Sequence, residues 1–240
     1  LSALERVEED PQIRQGGENH VESNLRLLEE LAKFICRKPN PAECLGKGPA
    51  ASMGASFASD DLRRMNRFFT VLGALTGLLR AREGRKEVFL FSDGFPLNPD
   101  AVYRAPMPVA RTPDLLRATR EAGSAQVVLN PVSTLGLTGP EAGWAAGPMA
   151  KVRRASTGTL SALALGTGGV LIHGVNRHFE EPMRKVGEES RTTYQLAYAP
   201  DGEPDGKHHS TKVLVRRDGL RIRTQEGYLW MTEAQRRERE

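Results

Sequence analysis

The sequence predicts an α/β protein with a mostly parallel sheet, followed by an antiparallel β extension. Three observations predict this class. Short apolar runs without alternation, at 86–91, 126–129 and 170–172, are typical of strands buried on both faces. Segments with helical periodicity lie between these runs, which is the order of βαβ units. After residue 192 the period of the apolar residues becomes two, which indicates antiparallel strands.

Residues 1–83 are predicted to form a helical region with a long irregular insertion. The first helix is indicated by apolar residues that recur at steps of four and three, namely Val21, Leu25, Leu28, Ala32 and Ile35. Residues 37–60 are rich in Pro, Gly, Ala and Ser and show no sustained period, so we expect an irregular connection there. Asp60 then caps a second helix that ends before Gly84 and has a broad apolar stripe, made of Leu62, Met65, Phe69, Leu72 and Leu79.

Residues 84–191 are predicted to be the α/β core. Its first strand ends in Ser92-Asp93-Gly94, and a helix follows at 113–122. After the second strand, residues 134–158 are predicted to be a loop around Trp144, and a short helix at 160–165 leads to the third strand. A further helix is expected at 178–189.

The C-terminal part is predicted to be an antiparallel hairpin extension over 192–230 and a charged tail over 231–240. Tyr194, Leu196 and Tyr198 alternate strictly, and Asp218-Gly219 lies between two further alternating runs as a hairpin turn. We therefore expect strands at 192–199, 209–216 and 220–224.

Composition excludes several classes of function. The chain has 39% hydrophobic and 27% charged residues, as ordinary globular proteins have. Its 34 Lys and Arg against 30 Asp and Glu are scattered without interleaved aromatics, so nucleic-acid binding is not expected. No stretch approaches the roughly 20 apolar residues of a membrane-spanning helix. The chain begins at Leu1 without an initiator Met or a signal sequence, from which we expect an upstream portion.

The two cysteines, Cys36 and Cys44, bracket a loop that contains two prolines. A disulfide closes such a loop easily in an oxidising compartment, and the alternative is two free thiols near a helix end. Zinc is not expected, because no second Cys or His pair stands nearby at ligand spacing.

An ordered series of motifs resembles a known family. The series runs from Phe89-Leu90-Phe91-Ser92-Asp93-Gly94-Phe95 through Thr167-Gly168-Gly169 to Tyr194-Gln195-Leu196-Ala197-Tyr198 and Gly227-Tyr228. It is similar to the C-terminal part of the bacterial von Willebrand factor A-related proteins of acidobacterial type, over about 62–230. The resemblance implies a doubly wound, mostly parallel sheet of von Willebrand A type, an exported protein and a metal-dependent adhesion site.

The resemblance also assigns a role to Asp93. It matches the Asp that helps to hold Mg²⁺ or Mn²⁺ at the end of a later strand of the family's sheet. The chain departs from the pattern in two places, because it has no Asp-x-Ser-x-Ser loop and because Ser133 replaces another Asp of the family. The first strand of the family's sheet is therefore missing from this sequence, and only a partial metal site is expected. The alternative for Asp93 is a turn residue before Gly94.

Catalytic motifs are sparse. No Gly-x-Ser-x-Gly elbow, dinucleotide-binding glycine pattern or Walker motif occurs, so we expect no enzymatic activity. Phe95, Leu97 and Trp144 are large apolar side chains on predicted loops, where such residues often anchor partners. The alternative is that they fold back over the sheet.

These observations predict a non-catalytic protein-protein binding module of an exported protein, either periplasmic, secreted or at the cell surface, assisted by a divalent metal. The alternative is a structural accessory subunit of a larger envelope or membrane complex, in which the hairpin of 209–226 adds to the sheet edge of a partner.

Overall fold

The computed structural model describes residues 20–36, 40, 43–105, 112–134, 148–172, 180–194, 196, 198–220 and 222–237. In chain order the elements of this part are α1 His20–Ile35, α2 Gly48–Arg80, β1 Lys86–Ser92, α3 Pro99–Tyr103, α4 Thr112–Ser124, β2 Val127–Ser133, α5 Pro148–Thr167, α6 Glu180–Ser190, β3 His208–Ser210, β4 Gly227–Leu229 and α7 Glu233–Arg237.

The mixed α/β class is confirmed by a small parallel sheet. β1 pairs with β2 in parallel, in a register that runs from Lys86 opposite Val127 to Ser92 opposite Ser133. The third strand predicted at 170–172 is reduced to one parallel bridge between Val132 and Ile172. A doubly wound sheet of von Willebrand A type therefore stays a prediction.

Helices pack on both faces of this sheet. On one face Val88 and Leu90 contact a core cluster contributed by α2, α4, α5 and β2. On the other face Phe89 and Phe91 contact a smaller cluster that includes Val186 of α6. Alternation along β1 sends successive side chains to opposite faces, which explains why the four residues 88–91 are all apolar.

Two buried polar side chains hold the segment after α5 against β2. The Thr167 hydroxyl accepts a hydrogen bond from the Leu129 amide at 3.0 Å. The Asn130 side chain accepts one from the Val170 amide at 2.9 Å. Gly169 lies so close to β2 that a Cβ there would stand 1.9 Å from the Leu129 carbonyl oxygen. The motif Thr167-Gly168-Gly169 therefore serves close packing of the backbone.

The prediction of an irregular connection over 37–60 is wrong from Gly48 onward, and Asp60 does not begin a helix but lies inside α2. The small residues of this stretch are what α2 needs to approach its neighbours. A Cβ at Gly54 would stand 2.7 Å from the Tyr103 carbonyl oxygen, and Ala50 and Ala58 are fully buried. The composition that indicated a loop is therefore a packing surface.

The prediction of a loop over 134–158 is likewise wrong for its last part. α5 begins at Pro148, a residue that the first turn of a helix tolerates, and continues through the short helix predicted at 160–165. The predicted helices at 113–122 and 178–189 correspond to α4 and α6.

The antiparallel extension is much shorter than predicted. β3 and β4 pair antiparallel over three residues each, with His209 opposite Tyr228. The described residues of 192–207 and 211–226 belong to no strand. The strands expected at 192–199 and 220–224 are therefore absent from the described residues, and the strand expected at 209–216 is reduced to β3. Asp218 and Gly219 form a turn, and Gly219 has φ +79°, but its flanks do not pair as a ladder. The predicted tail contains the short helix α7.

Cys36, just after α1, and Cys44, just before α2, are joined in a disulfide with 5.8 Å between their Cα atoms. The disulfide joins the end of α1 to the residues before α2, and these two helices pack against each other. Within the described part of the chain, no helix combines the length and the apolar character that crossing a membrane requires.

Candidate functional site

Asp93 lies at the carboxyl end of β1, where the sequence places the candidate site. Its side chain is 41% exposed. The backbone turns directly after it, because the Gly94 amide donates a hydrogen bond to the Ser92 hydroxyl at 3.0 Å and Gly94 has φ +74°. A Cβ at Gly94 would stand 2.4 Å from the Ser156 carbonyl oxygen. Glycine is therefore required here both by conformation and by the close approach of α5.

His20 lies between Asp93 and a second carboxylate. Its Nε2 atom is 2.7 Å from Oδ1 of Asp61, and its Nδ1 atom is 3.6 Å from Oδ2 of Asp93. His20 is the first residue of α1, and Asp61 lies in the middle of α2. The imidazole therefore connects two helices to the end of β1.

Asp61 is almost fully buried, with 1% of its side chain exposed. Its second oxygen, Oδ2, accepts a hydrogen bond from the Tyr103 hydroxyl at 2.8 Å. Asn24 of α1 donates to the same hydroxyl at 3.4 Å. A buried carboxylate needs such partners, since an unpaired charge in the interior is costly.

The surroundings of His20 change its protonation. Burial lowers the pKa of His20, but the hydrogen bond to Asp61, the nearby Asp93 carboxylate and the charge of Asp61 outweigh burial and raise this pKa to about 9. His20 is therefore an imidazolium at neutral pH. Burial and the charge of Asp61 also raise the pKa of Tyr103, so its hydroxyl keeps the proton that it donates.

This geometry differs from that of a catalytic histidine. A general base needs one nitrogen free to accept a proton from a nucleophile, while the other is oriented by an acid. In this site both nitrogens face carboxylates. The imidazolium therefore acts as a charged link between the two acids.

A second buried ion pair joins α1 to α5. The carboxylate of Glu22, which is 0% exposed, is bound by the guanidinium of Arg153 in a bidentate arrangement. The distance from Nη2 of Arg153 to Oε2 of Glu22 is 3.0 Å. His20 and Glu22 thus attach the first turn of α1 to two different parts of the molecule.

Two of the three residues predicted to bind a partner, Phe95 and Leu97, are not exposed. Phe95 is only 8% exposed, and its ring packs edge to face against Phe68 and Phe69 of α2. Leu97 is half-buried against the same core cluster. Trp144 lies outside the described residues. For Phe95 and Leu97 the structure therefore matches the alternative, in which these side chains fold inward.

The described residues do not fit Mg²⁺ or Mn²⁺. They contain no group of three or more His, Cys, Asp or Glu side chains that could hold a metal ion. Asp93 faces a cationic imidazolium, and Ser133, the last residue of β2, is buried. One carboxylate beside a positive charge is a poor ligand set for a hard cation, which needs several oxygens.

The C-terminal extension carries a second candidate surface. Its described residues between 193 and 226 include many exposed large apolar side chains, namely Tyr194, Leu196, Tyr198, Leu214, Val215, Leu220 and Ile222. Tyr194 is 90% exposed and Leu214 is 78% exposed. Single exposed apolar residues are normal, but a concentration of them in one segment is typical of an interaction surface.

Sequence analysis missed His20, Asp61 and Tyr103. One signal was present, because the buried residues of α2 recur at steps of three and four, and Asp61 stands in that stripe between Ala58 and Met65. A carboxylate on an apolar stripe indicates a buried partner. Nothing local identifies that partner as His20, which lies 41 residues away.

Comparison with known proteins gives no family for this chain. No family model matches the sequence, and neither the curated proteins nor the solved structures contain a match.

Proposed function

We propose that this chain is a non-catalytic protein-protein binding module that contacts its partner through the C-terminal extension, residues 193–226. The observation that carries the proposal is the exposure of the alternating residues Tyr194, Leu196 and Tyr198, together with the apolar residues on both sides of Asp218-Gly219. Alternation of this kind is typical of a strand with one buried face. A partner that supplies a neighbouring strand would cover that face.

Two further observations support the proposal. The histidine at the carboxyl end of the sheet has both ring nitrogens directed at carboxylates, which favours a structural role over catalysis. The disulfide between Cys36 and Cys44 favours an oxidising compartment, and therefore an exported, periplasmic, secreted or surface protein. A von Willebrand factor A-related ancestry remains part of the hypothesis, but the residues described around Asp93 do not support metal assistance.

The test is capture of the natural partner by chains carrying a photo-crosslinking residue at position 196. One variant combines Tyr194→Ser, Leu214→Ser and Ile222→Ser. A matched control combines Phe34→Ser, Val71→Ser and Leu78→Ser, which are also exposed but lie on α1 and α2. We expect the extension variant to bind the captured protein about tenfold more weakly, equivalent to about 1.4 kcal/mol, and the control to bind normally. Equal loss in both variants would reject the extension as the contact surface.

A structural accessory subunit of an envelope or membrane complex is the second candidate, because the same exposed surface suits a permanent contact. Exchange of labelled for unlabelled chain in the purified complex separates the two functions. Exchange within minutes supports the binding module, and a stoichiometric complex that does not exchange supports the accessory subunit.

A further inference from the structure

The ladder formed by β3 and β4 has two different faces. His208 lies opposite Leu229 on one face, and His209 lies opposite Tyr228 on the other. β4 contacts α4, and the first face lies on the side of α4, where burial and the charge of Arg120 lower the pKa of His208. The face with His209 and Tyr228, the outer face, is therefore directed away from α4.

Aromatic rings cover this outer face. His209 stacks on Tyr228 with ring centroids 5.4 Å apart and 18° between the ring planes. Trp230, two residues after Tyr228 and thus on the same face, meets His209 edge to face at 5.6 Å. Tyr198 meets Tyr228 edge to face at 5.5 Å and is 59% exposed. Tyr198 is exposed, and His209, Tyr228 and Trp230 are half-buried. A ladder face that reaches solvent ordinarily carries polar residues, so four rings there indicate a surface that receives a ligand.

An acidic turn borders these rings. Residues 200–206 contain two Pro-Asp-Gly sequences separated by Glu203, and Gly202 and Gly206 adopt φ +105° and +71°. A Cβ at Gly202 would lie 3.5 Å from Cη2 of Trp230. The Gly206 amide donates to the Trp230 carbonyl oxygen at 2.8 Å. The turn is therefore fixed beside Trp230.

The turn carries the exposed carboxylates of Asp201, Glu203 and Asp205. Hydrogen bonds from His209 and from the Lys207 amide lower the pKa of Asp205, so this carboxylate is ionised at neutral pH. Between residues 198 and 207, Lys207 is the one basic side chain against these three acids. The patch is thus anionic on a chain whose formal net charge is +4.

Aromatic rings beside carboxylates have a defined ligand preference. A ring face attracts an ammonium or guanidinium group, and a nearby carboxylate adds a charge interaction. We propose that Tyr198, Tyr228, His209 and Trp230, together with the acidic turn, bind a Lys or Arg side chain on an extended segment of the partner protein. This inference rests on the proposed function, because Tyr198 belongs to the same extension, and it states the chemistry of the partner.

The test uses defined peptides and the emission of Trp230. A Trp144→Phe background leaves Trp230 as the one tryptophan of the chain, which contains two. Three terminally blocked decapeptides, with Lys-Ser, Gln-Ser and Glu-Ser repeats, are titrated into the full chain. We expect the Lys-Ser peptide to bind at least about tenfold more tightly than the Gln-Ser peptide, and the Glu-Ser peptide to bind least.

Three variants separate binding at this site from a general effect of the chain's net charge. The double variant Asp201→Asn with Glu203→Gln is expected to bind the Lys-Ser peptide about tenfold more weakly than the natural sequence does. The control, Asp60→Asn with Glu83→Gln, makes the same change in charge at solvent-accessible positions far along the chain. Its affinity for the Lys-Ser peptide is expected to stay within about twofold of that of the unsubstituted chain. Tyr198→Leu, which changes no charge, is expected to weaken binding about threefold.

Equal binding of the Lys-Ser and Gln-Ser peptides, or equal weakening by both acidic double variants, would overturn the inference. If partner capture still depended on Tyr194, Leu214 and Ile222 in that case, the proposed function would stand without a cationic ligand. Circular dichroism of each variant verifies that the fold is retained.

Discussion

At the scale of single residues, Asp61 determines how the N-terminal helix is held. It is a carboxylate on the buried stripe of α2, and it accepts hydrogen bonds from His20 of α1 and from Tyr103 of α3. Three elements therefore meet at one side chain. Its neighbour Asp60 has 46% of its side chain exposed and pairs with Arg63 on the same helix, which makes the two adjacent acids a matched pair of probes.

Replacing Asp61 by Asn is expected to destabilise the fold by about 3 kcal/mol. An amide has one acceptor oxygen, so either His20 or Tyr103 loses its acceptor in a buried place. Asp60→Asn is expected to change stability by less than about 0.5 kcal/mol, because ion pairs at the surface contribute little. Urea unfolding monitored by circular dichroism measures both. Similar losses for the two variants would contradict the central role of Asp61.

Stability is also expected to depend on pH through His20. The pKa of His20 is about 9 in the folded chain and near 6.5 when the chain is unfolded. The folded state therefore binds this proton more tightly, and the stabilisation is fully present below pH 6.5 and is lost as the pH rises through about 9.

The measurement is the free energy of unfolding of the natural chain and of His20→Gln across that range. The difference in free energy of unfolding between the natural chain and His20→Gln is expected to be largest at the acid end of this pH range. It is expected to shrink steadily as the pH rises. A difference that stays constant with pH would show that the imidazolium does not stabilise the fold.

At the scale of elements, close approach explains where small residues occur. Gly54 lets α2 reach the end of α3, Gly169 lets the chain reach β2, and Gly94 lets the end of β1 reach α5. In contrast, Gly77 of α2 is exposed, and a Cβ added there would meet no neighbouring element within 4 Å. Replacing a glycine by alanine is therefore expected to lower stability at some positions of this chain and to raise it at others.

Gly94→Ala is expected to destabilise the fold by about 3 kcal/mol, because it combines a strained positive φ with a clash against the Ser156 carbonyl. Gly77→Ala is expected to stabilise it by about 0.5–1 kcal/mol, since alanine has the higher helix propensity. Thermal unfolding of both variants measures the contrast. A neutral Gly94→Ala would mean that α5 does not approach β1 as closely as described.

At the scale of the whole molecule, the ion pair between Glu22 and Arg153 joins parts of the chain 131 residues apart. It attaches α1 to α5, while the His20 cluster attaches α1 to α2 and β1. Breaking a buried pair on one side leaves an uncompensated charge. The position of α1 therefore depends on contacts with α2, with α5 and with the end of β1.

Glu22→Gln is expected to destabilise the fold by about 3 kcal/mol and to raise hydrogen exchange first in α1. Glu30→Gln, on an exposed position of the same helix, is expected to change stability by less than about 0.5 kcal/mol. Exchange rates of the amides of 20–35, measured by mass spectrometry, test both. Unchanged protection in Glu22→Gln would show that α1 is held by its apolar face alone.

The sequence by itself determined the elements whose signal is local. Periodicity or spacing within a few residues predicts the apolar stripe of α1, the strands β1 and β2, the helices α4 and α6, and the proximity of the two cysteines. Tertiary contacts decided the rest. Residues 48–59 are helical because their small side chains pack closely against α3, although the same composition also suits a loop. The described alternating residues of the extension lie outside β3 and β4, which span only three residues each, because a strand needs a partner that local pattern does not supply. The cluster of His20, Asp61, Asp93 and Tyr103 likewise exists only after folding, because its members lie far apart along the chain and no local pattern connects them.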